Sequence, residues 1–174
     1  RYSNVPVKYY DTGAAHINAS VEHSLRLMNV DTIDLLLIHR PDPMMDAEAT
    51  GRTLDTLIDS GKVKSVGVSN FKAWDWDLLQ SAMHNKLVTN QLEMGLLSRD
   101  TFTDGTLAQQ QRLGCKPMAW SPLGGGRLFG DDADAIGLGH QGHPLGLQVR
   151  GEPGVHVGAH IRGTGNSLTH VVGS

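Results

Sequence analysis

At 174 residues the chain can form one ordinary domain with a sizeable core, and its net charge of −3, without a basic run interleaved with aromatics, argues against nucleic acid. No apolar stretch approaches the roughly 20 residues of a membrane span, and no signal peptide is visible at this N-terminus. Cys115 is the single cysteine, so no internal disulfide is possible; one thiol fits a reducing, cytoplasmic setting, and nothing near it in sequence marks a nucleophile.

From about residue 15 to 123, helical and strand signals alternate, the mark of βα units. Ile17, Val21, Leu25 and Met28 draw an apolar helical stripe. LLLIHRPDP, residues 35–43, follows. Its four apolar residues fit a strand buried on both faces, and Pro41 and Pro43 end the ladder, which leaves His39 at the C-terminal rim. Asp46 is expected to cap a second helix with the stripe Ala47, Gly51, Leu54, Leu57 and Ile58, closed at Gly61. SVGVSNF, residues 65–71, reads as a strand whose Ser69 and Asn70 cap a third helix burying Leu78, Leu79, Ala82 and Met83, with Trp74 and Trp76 on its outer surface. VTNQLEMG, residues 88–95, is the next strand. A weaker helix follows, with Leu107, Ala108 and Leu113 as its apolar contacts among three glutamines, before PMAWSPLGGG opens a fourth strand and loop. Four successive strand ends thus carry hydrogen-bonding groups: His39, then Ser69 and Asn70, then Asn90 and Gln91, then Trp120 and Ser121. Parallel α/β folds bind ligands at that rim.

The order and spacing of LLLIHRPDP, SVGVSNF, NQLEMG and MAWSPLGGGRLF resemble the aldo-keto reductases, most closely their bacterial oxidoreductase branch, over about residues 8–129. The resemblance implies a (β/α)8 barrel, here partial, that binds NADPH at the C-terminal rim without a Rossmann fingerprint. It implies that His39 hydrogen-bonds the substrate carbonyl. Ser69, Asn70 and Gln91 would grip the nicotinamide carboxamide, Trp120 would stack on its ring, and Ser121, Leu123 and Gly124 would form the loop beside the pyrophosphate. The partner so implied is a small carbonyl compound. A second expectation, from the family's potassium-channel partners, is a non-catalytic nucleotide-binding subunit. The family's tyrosine acid, with its lysine and aspartate, belongs to earlier barrel strands, and Lys8, Tyr9, Tyr10 and Asp11 precede the wrong helix to replace them.

Composition changes at Phe129: every aromatic residue, lysine and methionine, and the cysteine, lies at or before it. Residues 1–129 are expected to form the partial barrel and 130–174 an irregular Gly- and His-rich tail. Either the tail is disordered, or it is an out-of-frame reading of the coding sequence; the simultaneous loss of whole residue classes favours the second. The pairs His140/His143 and His156/His160 have metal-like spacing, but Gly158 argues against a helix that would present the second pair, and no metal is expected. With Arg1 in place of an initiator methionine, the chain reads as a piece of a longer protein, expected to be inactive by itself.

Overall fold

Helix α1 (Ala14–Met28) begins where the Asp11 carboxylate accepts the Gly13 N–H at 2.8 Å and ends where Asn29 turns left-handed at φ 52°. The computed structural model describes residues 9–129 and 169–172. Ile17 and Val21 of α1 are buried, and Leu25 and Met28 pack at the core margin, as the stripe predicts. Strand β1 (Leu35–Ile38) stops one residue before His39, and Leu36 and Leu37 are fully buried though they point to opposite faces.

Helix α2 (Ala47–Asp59) is capped by Asp46, whose carboxylate accepts the Ala49 N–H at 2.9 Å, and Gly61 follows it at φ 76°. Strand β2 (Val66–Ser69) is buried throughout. Helix α3 (Ala73–Ser81) departs from expectation. Its N-cap is Lys72, with the Asp75 carboxylate accepting the Lys72 N–H, so Ser69 and Asn70 do not cap it. Trp76 and Leu79 face the core, while Trp74 and Leu78 are exposed. Adjacent Leu78 and Leu79 allow two stripes; the one through Trp76, Leu79 and Met83 wins because it buries the indole.

Strand β3 (Leu87–Glu93) is followed by the short helices α4 (Asp100–Thr103) and α5 (Thr106–Arg112), then β4 (Met118–Trp120). Helix α5 buries Thr106, Gln109 and Gln110 and leaves Leu113 exposed, the reverse of its apolar reading. The tail also supplies a regular element: Thr169–Val172 forms β5, three of whose four residues are β-branched.

All five strands are parallel, in the order β4-β3-β2-β1-β5. Helix-facing residues, among them Leu36, Val66, Phe71 and Trp76, build the main core. On the opposite face Gly67 has no room for a side chain, since a Cβ there would lie 2.7 Å from Thr89 Cγ2 and 2.8 Å from Leu37 Cδ2. Parallel strands bring their C-terminal ends to one edge, and that edge carries the site.

Candidate functional site

Ile38 pairs with Val68 and Ser69 with Gln91, so His39, Ser69 and Gln91 stand at the ends of three neighbouring strands. Immediately after β2 the chain bends. Asn70 is left-handed, φ 59°, a conformation asparagine tolerates better than most residues, and its N–H still donates to Gln91 O at 2.8 Å. The bend swings the Asn70 amide towards β4, where its Oδ1 accepts the Trp120 indole N–H at 2.9 Å. Asn70 Nδ2 donates to Ser69 Oγ at 2.8 Å, and Ser69 Oγ donates to Gln91 O at 3.0 Å. A single directed chain of hydrogen bonds therefore links three of the four rim positions read from the sequence.

Ser69 is only 1% exposed and stands behind Asn70, so it supports that side chain more than it faces the opening. Gln91 is half-buried, and its side-chain amide makes no hydrogen bond among the described residues. Asn90 turns out to be structural: fully buried, it donates to Phe71 O at 2.8 Å and fixes the turn after β2.

His39 opens the segment that carries Arg40, whose guanidinium lies 5.7 Å from the Trp120 ring centroid. That contact joins the exits of β1 and β4, which are three strands apart in the sheet. Arg40 was visible in LLLIHRPDP, but nothing local tied it to an indole 80 residues away.

After Trp120 the chain turns sharply. Ser121 has φ 51°, Gly124 N–H returns to Ser121 O at 2.9 Å, and Gly126 N–H to Leu123 O at 3.1 Å. The loop approaches the exit of β3 so closely that a Cβ on Gly95 would meet Pro122 O at 2.6 Å. The Gly124 and Gly126 N–H groups are both engaged within the turn, so of the glycine run only the Gly125 N–H is left for an anion here.

Asn70 Nδ2 has a second N–H beyond the one given to Ser69, and Gln91 on the neighbouring strand carries an amide donor and acceptor, so the residues present could hold an amide-bearing ligand. No cluster of three or more histidine, cysteine, aspartate or glutamate side chains that could hold a metal occurs among the described residues. The tail histidines singled out from sequence lie outside them. Cys115 is half-buried, and burial pushes its thiol pKa up against the pull of Lys86, which disfavours the reactive thiolate. No helix among the described residues is long and apolar enough to cross a membrane.

The family model described as "Aldo/keto reductase family" matches residues 5–148. A 6-dehydroglucose reductase of Agrobacterium fabrum is 67% identical over 129 residues, covering 74% of this chain and 43% of that protein. The oxidoreductase YdhF of Escherichia coli is 49% identical over 132 residues, covering 76% of this chain and 44% of that protein. Among solved structures, an aldo/keto reductase from Klebsiella pneumoniae in complex with NADP and acetate superposes with a TM-score of 0.60 at 29% identity, covering 67% of this chain and 41% of that one. The four parallel strands alternating with helices are thus part of the barrel of such enzymes, and the chain spans less than half the length of these relatives.

Proposed function

The chain belongs to the aldo/keto reductase family, and we propose that the whole protein is an NADPH-dependent reductase of aldehydes or ketones. The observation that carries this reading is the hydrogen-bonded set Ser69, Asn70, Gln91 and Trp120 at the same sheet edge as His39. NADPH supplies the hydride. Asn70 and Gln91 hold the carboxamide, Trp120 backs the ring, the Ser121, Leu123 and Gly124 loop lies along the pyrophosphate, and His39 hydrogen-bonds the carbonyl oxygen. Holding ring and carbonyl at reacting distance is where such a site gains most of its rate. The relative from Agrobacterium fabrum makes a sugar aldehyde of the 6-dehydroglucose type the first substrate to try. The barrel part is assigned to residues 1–129 on the composition change at Phe129, although the family match runs on to residue 148.

The test is NADPH oxidation by the whole protein across a panel of aldehydes including hexose dialdehydes. Turnover is expected, with His39→Asn lowering kcat/KM by about 10²-fold. NADPH binding without turnover would turn the reading into that of a nucleotide-sensing subunit, and absence of both would end it.

A further inference from the structure

The exits of β1 and β4 are separated by those of β2 and β3, at most about 14 Å at a strand spacing of about 4.8 Å. The contact between Arg40 and Trp120 bridges that distance, with the guanidinium carbon 5.7 Å from the centre of the indole. Arg40 follows His39 in the chain, so its side chain reaches from the His39 end of the opening towards the indole. Both residues of the contact are half-buried. The charge is not neutralised locally. Asp42, the nearest acid in sequence, accepts the Thr12 N–H and hydroxyl at 3.4 and 3.2 Å on one oxygen and the Met44 N–H at 2.9 Å on the other. Glu93, in register with Trp120, is the acid at the exit of β3. Neither it nor any other described carboxylate forms an ion pair with Arg40.

We propose that Arg40 is a specificity-determining residue that makes the site discriminate, by charge, between the reduced and the oxidised nicotinamide. This rests on the NADPH reading of the site. The nicotinamide ring is neutral in NADPH and carries one positive charge in NADP+. A ring stacked about 4 Å from the indole lies no more than about 10 Å from the guanidinium carbon, whichever face of Trp120 it takes. At that separation two positive charges repel each other in a half-buried site that salt screens poorly. The indole face, already engaged by one cation, also has less attraction left for a second. The neutral ring meets neither cost. The reduced cofactor is therefore retained and the oxidised one pushed out, which suits a site that works towards reduction.

The experiment titrates the whole protein with NADPH, with NADP+ and with 2′-phospho-ADP-ribose, which lacks the nicotinamide, and compares two variants. Arg40→Met keeps the length and the apolar stem and removes the charge; Arg40→Lys keeps the charge and loses the planar fork. Arg40→Met is expected to bind NADP+ about fivefold more tightly, while NADPH and 2′-phospho-ADP-ribose change by less than about twofold. Arg40→Lys should retain the unsubstituted ratio of NADPH to NADP+ affinity. Equal weakening of all three ligands in Arg40→Met would assign Arg40 to the phosphates or to packing and overturn the proposal. An unchanged ratio in Arg40→Met would overturn it too, and so would an Arg40→Lys ratio equal to that of Arg40→Met, since shape and not charge would then be the discriminator. If the unsubstituted protein binds all three ligands equally, the ring is not held beside Trp120 and the proposal fails. If it binds none of them, the cofactor reading itself fails and takes the proposal with it.

Discussion

Asp55, buried on α2, accepts the backbone N–H groups of His84 and Asn85, each at 3.0 Å, and the Asn85 side chain at 3.1 Å. His84 Nδ1 lies 3.0 Å from the same carboxylate. Burial by itself would raise the Asp55 pKa, but the His84 and Asn85 donors outweigh it and leave the value below the usual 3.8. For a carboxylate lowered in the folded state, the stability it contributes is present above the unfolded value and disappears as pH falls through the folded one. Urea midpoints are therefore expected to hold from neutral pH down to about 5 and to fall below pH 3.8. Asp55→Ala should cost about 3 kcal/mol at neutral pH, because three donors lose a buried acceptor, and should flatten that acid limb. A variant with an unchanged acid limb would show that other carboxylates set it. Nothing in the sequence marked Asp55, since its partners lie 29 and 30 positions away and two of the four are backbone N–H groups. His39 was legible for the opposite reason: Pro41 and Pro43 mark the strand end within a few residues of it.

Helices were legible where an apolar stripe was unambiguous, as in α1 and α2, and misread where it was not. The stripe of α2 includes Gly51, yet a stripe says nothing about why a glycine is there. A Cβ on Gly51 would lie 2.4 Å from the Ala82 carbonyl oxygen just beyond α3, a backbone atom with little room to yield. Gly51→Ala should therefore lower stability by about 2 kcal/mol in denaturant melts, although alanine is the better helix former by about 1 kcal/mol. A stabilised variant would mean that α2 and α3 can separate cheaply. Helix α5 was harder, since its buried face is polar. Gln110 is 1% exposed, and neither its oxygen nor its nitrogen has a partner among the described residues. Gln110→Met, similar in length and helix propensity, is expected to be neutral or to raise stability by about 1 kcal/mol, read as a higher Tm. A marked loss would show that the amide has a partner after all.

At the scale of the whole molecule, the sheet order β4-β3-β2-β1 follows chain order in reverse, which is why βα alternation sufficed to anticipate it. Local pattern could not anticipate β5. The resemblance implies a proton-donating tyrosine, with its lysine and aspartate, on barrel strands earlier than β1. NADPH oxidation by residues 1–174 alone should accordingly run about 10²–10⁴ slower than that of the whole protein, the usual worth of general acid help. Comparable rates would return Tyr9 or Tyr10 to consideration as the acid.

Strand β5 occupies the edge of β1 opposite β2, with Leu35 to Ile38 in register with Thr169 to Val172. An uncovered edge there would expose a row of unpaired N–H and C=O groups on a hydrophobic strand, a template for association. Leu36 donates its N–H to Ser65 O, on the β2 side. Successive peptide groups of a strand point to alternate neighbours, so the Leu37 N–H and C=O are directed at β5. The two amides therefore report on different neighbours. Val172→Pro removes the backbone N–H of β5 that faces the Leu37 carbonyl and disfavours the pairing. Amide exchange followed by NMR should then accelerate at Leu37 while Leu36 stays protected, and the variant should self-associate at lower protein concentration. If Leu37 exchanges at the same slow rate in both proteins, β5 does not cover this edge in solution. If Leu36 accelerates equally, the substitution has opened β1 from β2 and the whole sheet depends on its last strand.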